Sequence, residues 1–126
     1  MKLNFIHVCD TAFLSQDNKL NIIGIFEAIL TPSLPAVHSR LTIVANIEGS
    51  LGMHDFDIAI LDPADKKIGV LSGKFNLDAV RKKFGIINTI NNLQLTSEGV
   101  YSVILSVDSR KLGETNFEIR KIGAIS

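Results

Sequence analysis

The clearest fold signal in the chain is the stretch Gly99-Val100-Tyr101-Ser102-Val103-Ile104-Leu105-Ser106-Val107, followed by the reversal Asp108-Ser109-Arg110-Lys111. Every odd-numbered position from Tyr101 to Val107 is apolar, and serines stand at two of the positions between them. Side chains of a strand alternate between its faces, so this period of two predicts a strand with one face in a core. The reversal predicts a tight hairpin to a last strand, in which Phe117 and Ile119 point inward.

The same alternation recurs upstream. It covers residues 3–10, 41–48 and 55–60, and residues 15–19 and 62–67 between such segments carry turn-forming residues. About eight short strands separated by turns are typical of an antiparallel sandwich of two sheets. The sequence therefore predicts a single all-β domain over residues 1–126, either immunoglobulin-like or C2-like. In immunoglobulin-like sandwiches a tyrosine early in the penultimate strand hydrogen-bonds back across a corner, and Tyr101 has that position.

Four segments carry more specific predictions. Residues 20–30 are predicted to form one strand that is apolar on both faces, which indicates cover by the opposing sheet and by a loop or second subunit. Residues 31–35 contain two prolines and predict a crossover between the sheets. Residues 76–83 are the one place where a short helix is expected. The apolar alternation slips at residues 90–93, which predicts a β-bulge.

The whole chain resembles a family of small, uncharacterised bacterial proteins that is grouped as a domain of unknown function. The resemblance covers about residues 3–122. It is carried by residues 4–13, 19–26, 34–38, 90–93 and 98–101, which read NFIHVCDTAF, KLNIIGIF, LPAVH, INNL and EGVY. The resemblance implies a β-sandwich and brings no catalytic residues with it.

Composition excludes several classes of function. The formal net charge of the 126 residues is zero, whereas nucleic-acid and anionic-membrane binders need a positive surplus. Arg81-Lys82-Lys83 is the one basic cluster, and we interpret it as a solvated sheet edge. The most apolar stretch, residues 20–30, is too short to span a bilayer, which takes roughly 20 residues. With no signal-peptide pattern and one cysteine, we expect a cytoplasmic protein that binds neither nucleic acid nor membrane.

The residues that could carry chemistry have simpler interpretations. On a strand, the side chains of His7 and Cys9 point to the same face about 7 Å apart, and that of Asp10 points to the other face. We expect Cys9 to be a buried apolar residue and His7 a half-buried one. The three histidines His7, His38 and His54 form the alternative of a small metal-dependent hydrolase. Their spacing does not preorganise a metal site, so we predict no catalytic residue and no cofactor.

A calcium site is a second alternative. Asp57, Asp62 and Asp65 resemble the acidic loops of C2-type sandwiches, which bind calcium through several converging carboxylates. Lys66 and Lys67 follow directly and oppose a cation, so we interpret residues 62–67 as a solvated turn. Calcium-dependent contact with lipid remains open as an alternative at this point.

The apolar strand at residues 20–30 points to an interaction role. A small domain has few elements to cover both of its faces, and an uncovered apolar patch usually marks a contact. We predict an interface formed by the apolar residues of this strand and of the crossover: Ile23, Ile25, Ile29, Leu34 and Val37. The partner is expected to be another protein or a second copy of the chain, and a two-fold homodimer is the commonest arrangement.

Overall fold

The computed structural model describes residues 1–123, which form nine strands and no helix. The strands are β1 (Lys2–Leu14), β2 (Leu20–Ile25), β3 (Ala28–Thr31), β4 (Ala36–Glu48), β5 (Gly52–Leu61), β6 (Lys67–Leu77), β7 (Lys83–Leu95), β8 (Gly99–Val107) and β9 (Arg110–Lys121). One sheet has the order β2-β1-β4-β7 and the other the order β3-β9-β8-β5-β6. The predicted all-β sandwich of two sheets is confirmed.

The strand order is immunoglobulin-like. β1, β4 and β7 share one sheet, and β5, β8 and β9 share the other. This is how the first, second and fifth strands separate from the third, sixth and seventh in immunoglobulin domains. Alternate residues fill the space between the sheets, so that Tyr101, Val103 and Leu105 of β8 and Phe117 and Ile119 of β9 are buried as predicted.

Tyr101 closes a corner of the sandwich. Its hydroxyl donates to the carbonyl oxygen of Ser97 at 2.8 Å, and its ring stacks on Phe117 with 5.4 Å between the centroids. The polar end of a fully buried tyrosine is thereby satisfied while its ring fills the core. The predicted tyrosine corner is confirmed.

The prediction of one strand over residues 20–30 is wrong, because the chain changes sheets in the middle of it. Phe26 still donates its N–H to the carbonyl of Val8 in the first sheet, at 3.2 Å. One residue later, the carbonyl of Glu27 accepts from Glu118 of β9. β3 then runs parallel to β9, so this one pair departs from the predicted antiparallel arrangement, while the nine strands of residues 1–123 agree with the prediction of about eight. The apolar residues that were assigned to two faces of one strand thus lie on two strands, β2 in the first sheet and β3 in the second.

Two local predictions are also corrected. Residues 76–83 contain no helix: β6 runs to Leu77, and the carboxylate of Asp78 accepts from the N–H groups of Val80 and Arg81 in a turn. A run this short gains too little from helical hydrogen bonds to compete with strand pairing.

The apolar alternation does change face near residue 92, but not through a one-sided bulge, because β4 and β7 keep one register on both sides of it. Asn92 instead has a left-handed φ of 57° and bends the strand. The crossover at residues 31–35 does join the two sheets, as predicted.

Candidate functional site

The candidate site lies on the hairpin formed by β1 and β2. Its turn is the one predicted at residues 15–19, where Asn18 donates to the Ser15 carbonyl at 2.9 Å and Ser15 to the Lys19 carbonyl at 2.8 Å. Asn18 has a left-handed φ of 60°, which asparagine tolerates better than most residues. The turn fixes the register in which Thr11 faces Ile23 and Cys9 faces Ile25.

The hairpin folds back over the outer side of its own sheet. β1 stops pairing with β4 after Cys9. On β4, Ala45 faces the core, so its neighbour Val44 faces the outer side of the sheet, and Val44 is nevertheless fully buried. Leu14 and Leu20 of the hairpin line a cleft of about 320 Å³ together with Val44. The side of the hairpin that carries Leu14 and Leu20 is therefore in contact with the domain. On the opposite side, Thr11 faces Ile23, and its Oγ1 accepts from the side chain of Arg40 at 2.9 Å.

The other side of the hairpin exposes apolar side chains. Ile23 and Ile25 alternate along β2 and are 52% and 56% exposed. Phe13 of β1 lies diagonal to Ile23 and is 47% exposed. We call Phe13, Ile23 and Ile25 the hairpin row. Cross-strand neighbours at this spacing are close enough for their side chains to touch, so the row forms one apolar strip.

The predicted interface residues are divided by the structure. Ile23, Ile25 and Val37 are exposed, Val37 to 60%. Ile29 and Leu34 are half-buried and pack against the core, because β3 joins the second sheet and Ile29 pairs with buried Ile119. Sequence reasoning missed Phe13. The signal for it was the continuation of β1 into the hairpin, where an aromatic residue faces the same side as Ile23.

A second polar cluster joins two turns at one end of the sandwich. His54 of β5 is buried, and its Nδ1 lies 2.6 Å from Oδ2 of Asp108 while its Nε2 lies 2.7 Å from the carbonyl oxygen of Ser50. The other carboxylate oxygen of Asp108 accepts from the N–H of Asp55 at 3.0 Å. The β4–β5 turn and the β8–β9 hairpin are therefore joined through one imidazole ring.

The partners of His54 determine its charge. A carboxylate and a carbonyl can only accept hydrogen bonds, so both contacts are hydrogen bonds only when both ring nitrogens carry a proton and the ring is an imidazolium. The hydrogen bond with Asp108, supplemented by the one to Ser50, raises the pKa of His54. The bond from His54 in turn lowers the pKa of Asp108, together with the N–H of Asp55. His54 and Asp108 were not linked at the sequence level because 54 positions separate them.

The histidines of the metal alternative have separate aromatic neighbours. His7 stacks on Phe5 at 5.4 Å between ring centroids, and His38 packs against Phe26 at 5.9 Å. His7 is half-buried, as expected. Within residues 1–123, no group of three or more His, Cys, Asp or Glu side chains is arranged to hold a metal ion.

The acidic residues of the calcium alternative each serve local structure. Asp57 lies on β5 and accepts from the hydroxyl of Ser72 at 2.6 Å. Asp62 accepts from the N–H groups of Ala64 and Lys66, both at 2.9 Å, and thereby closes the turn. Asp65 has a left-handed φ of 62° in the same turn. The carboxylate of Asp62 is thus used by the backbone of this turn.

Cys9 is fully buried, as predicted. Its thiol lies 3.5 Å from the carbonyl oxygens of Thr11 and Thr42. Burial raises the pKa of the Cys9 thiol, and the neighbouring charge of Asp10 raises it further. A thiol with a raised pKa carries little thiolate at neutral pH and is a poor nucleophile.

The three residues of the basic cluster are all exposed: Arg81 and Lys82 in the β6–β7 turn and Lys83 at the start of β7.

Comparison with known proteins identifies the family. A model of the family of unknown function DUF6941 matches residues 4–120. The chain belongs to the DUF6941 family. This confirms the resemblance to a family of unknown function that the sequence carries over nearly its whole length. A comparison of the DUF6941 chain with curated proteins gives no match. Within residues 1–123 there is no helix long and apolar enough to cross a membrane.

Two of the solved structures that are similar to this DUF6941 chain cover more than 90% of it. One is the alkylpurine DNA glycosylase AlkC of Pseudomonas fluorescens bound to DNA containing an abasic site analogue, with 14% identity and a TM-score of 0.48 over 91% of this chain. The chain spans only 30% of that protein. The other is an immunoglobulin-like protein from Pseudomonas aeruginosa, with 12% identity and a TM-score of 0.42 over 94% of this chain and 95% of that one.

Proposed function

We propose that this chain is a non-enzymatic interaction module that binds another protein chain through the hairpin row. The observation that carries the proposal is the exposure of Phe13, Ile23 and Ile25 side by side on an outer hairpin. Apolar side chains grouped on a surface gain free energy when a partner removes them from water. Val37, which is equally exposed on β4, extends the predicted interface beyond the hairpin.

The chemistry of the reactive side chains supports a role other than catalysis. Both ring nitrogens of His54 are engaged, one by Asp108 and one by the Ser50 carbonyl, so this ring has no free nitrogen to act as a base. The thiol of Cys9 is buried and its pKa is raised, the opposite of what an activated nucleophile needs. A free thiol also suits a reducing compartment such as the cytoplasm, where we place the protein.

Site-specific photocrosslinking in the cells that encode the protein tests the proposal. A photoreactive phenylalanine analogue replaces Ile23 in one variant and Val100 in the control, because the two side chains are 52% and 51% exposed. Val100 lies on β8 in the other sheet. We expect a discrete crosslinked adduct of higher mass from position 23 and none above background from position 100. Equal labelling at both positions, or none at position 23, would contradict the proposal.

A further inference from the structure

The cleft between the tip of the hairpin and the first sheet has apolar side chains on two sides. Leu14 and Leu20, the last cross-strand pair before the turn, line it from the hairpin. Val44 and Ile87 line it from the sheet, where they face each other across β4 and β7. Its volume of about 320 Å³ is at the small end of the range of about 300–1,000 Å³ for ligand sites. The cleft therefore has the size and the apolar lining of a site for a small ligand.

Gly85 of β7 keeps the sheet side of the cleft open. It faces Asn46 across the β4–β7 pair, so it lies on the same outer side of the sheet as Val44 and Ile87. A Cβ atom at Gly85 would meet no atom within 4 Å, and the φ of this residue is not positive. Neither crowding nor backbone conformation thus requires a glycine at this position. A glycine inside a strand often marks a place where a ligand approaches the backbone closely, and the open space next to Gly85 is such a place.

The charged side chains that line the cleft are both positive. They are Arg81 and Lys83 of the basic cluster, which are exposed and form no salt bridge among the described side chains. Glu48 lies opposite Lys83 in the β4–β7 pair, but its carboxylate meets Lys2, at 3.8 Å. The carboxylate of Asp78 accepts from the backbone N–H of Arg81 at 2.6 Å and so holds the turn. The rim of an apolar cleft therefore carries two cations that are available to an anion.

We propose that this cleft binds an alkyl carboxylate, with the alkyl chain between the hairpin and the sheet and the carboxylate at Arg81 and Lys83. Removing the chain from water supplies affinity, and a guanidinium can donate two parallel hydrogen bonds to a carboxylate. The small volume favours a chain of medium length, such as that of octanoate. This inference goes beyond the proposed function and does not depend on it, because the cleft lies on the side of the hairpin away from the hairpin row.

Titration of the isotope-labelled full chain with octanoate, followed by two-dimensional amide NMR, tests the ligand and its place. We expect saturable shifts in residues 44–46 and 85–87, with a dissociation constant of about 0.1–1 mM for a ligand of this size. Hexanoate is shorter by two methylene groups and should bind about tenfold more weakly. Octanamide keeps the chain and loses the charge, and it should bind about fivefold more weakly or less.

Variants separate the contribution of the space from that of the charge. Gly85→Leu fills the cleft and should abolish the octanoate shifts, whereas Gly85→Ala adds one carbon atom and should keep most of the affinity. The double variant Arg81→Gln/Lys83→Gln should raise the dissociation constant of octanoate about fivefold and leave that of octanamide unchanged. Lys66→Gln, at an exposed lysine in the turn before β6 of the other sheet, makes a similar charge change and should bind octanoate like wild type.

Four results would each overturn the inference: no saturable binding of octanoate at millimolar concentration, equal affinity for octanoate and octanamide, binding that Gly85→Leu leaves intact, or shifts confined to the hairpin row. The amide spectrum of each variant shows whether it is folded, and the comparison of octanoate with octanamide on wild type decides the role of charge without any variant. The crosslink at position 23 tests the proposed function separately, so the failure of one does not carry over to the other.

Discussion

At the scale of single residues, His54 shows how two unrelated stretches of sequence become one structural unit. The ring is buried against Phe75, with 5.2 Å between their centroids, and its two nitrogens bind the β8–β9 hairpin and the β4–β5 turn. An imidazolium in this position needs the carboxylate of Asp108, because a buried charge without a partner is costly. The protonation of one ring therefore affects how firmly the two turns are joined.

The pKa directions give a pH dependence of stability. The pKa of His54 is raised in the folded chain, so its stabilising effect is complete below the ordinary histidine pKa of about 6.5 and is lost as the pH rises through the raised value. The pKa of Asp108 is lowered, so its effect is present above the ordinary aspartate pKa of about 4 and is lost on acidification. We expect the free energy of unfolding in urea to be highest in mildly acidic solution and to fall as the pH becomes alkaline.

Asp108→Asn isolates this effect. Asparagine also tolerates the left-handed φ of 50° at this position, so the turn is preserved while the charge is removed. We expect the variant to unfold at lower urea than wild type in mildly acidic solution and to lose most of the decline toward alkaline pH. Asp65→Asn, another left-handed position, serves as the control with a wild-type profile. An unchanged pH profile in Asp108→Asn would refute the role of the pair.

The reactivity of Cys9 is a second test at this scale. Its thiol is fully buried and its pKa is raised, first by burial and then by Asp10. We expect a soluble thiol reagent to label the folded chain many-fold more slowly than the chain in urea, because only the exposed thiolate reacts. Fast labelling of the native chain would show that the hairpin opens away from the sheet.

At the scale of elements, the β1–β2 hairpin depends on one glycine. Gly24 has φ +73° in the middle of β2, and a Cβ atom there would collide with the carboxylate of Asp10. Both effects act against any other residue, since a side chain at this φ is strained even where space is available.

We therefore expect Gly24→Ala to lower the free energy of unfolding by about 1–2 kcal/mol, measured by urea denaturation. Gly85→Ala is the matched control, because Gly85 lies on β7 with no atom within 4 Å of its would-be Cβ and without a positive φ. The control should change stability by less than about 0.5 kcal/mol. Equal effects of the two substitutions would mean that the conformation of Gly24 is not required.

The sequence predicted the elements better where alternation is regular than where the chain changes sheets. The alternation of β8, the turn at residues 15–19 and the link from Tyr101 are local patterns, and the structure contains all three. The division of residues 20–30 is not local, because it depends on β9 being available to pair with Ile29 and its neighbours. An apolar run has the same composition whether it serves one sheet or two, so its pattern alone did not reveal the division.

At the scale of the whole molecule, the fold explains why the residues of the predicted interface differ in exposure. Two sheets closed around a core leave outer strands, and Ile23 and Ile25 stay exposed because they lie on one of these, β2. Ile29 and Leu34 are expected at the interface for their apolarity, but both are half-buried and pack against the core, Ile29 because β3 joins the second sheet. Which apolar residues remain exposed depends on three-dimensional pairing, which a single sequence does not display.

Hydrogen–deuterium exchange of the intact chain, alone and with the partner captured by crosslinking at position 23, tests the central claim most directly, since it reports the hairpin itself. The account predicts slower exchange in the complex for the amides of residues 20–25, while the outer strands β6 and β7 exchange at unchanged rates. Exchange in residues 20–25 that the partner leaves unchanged, or protection that arises at β6 or β7 instead, would contradict it.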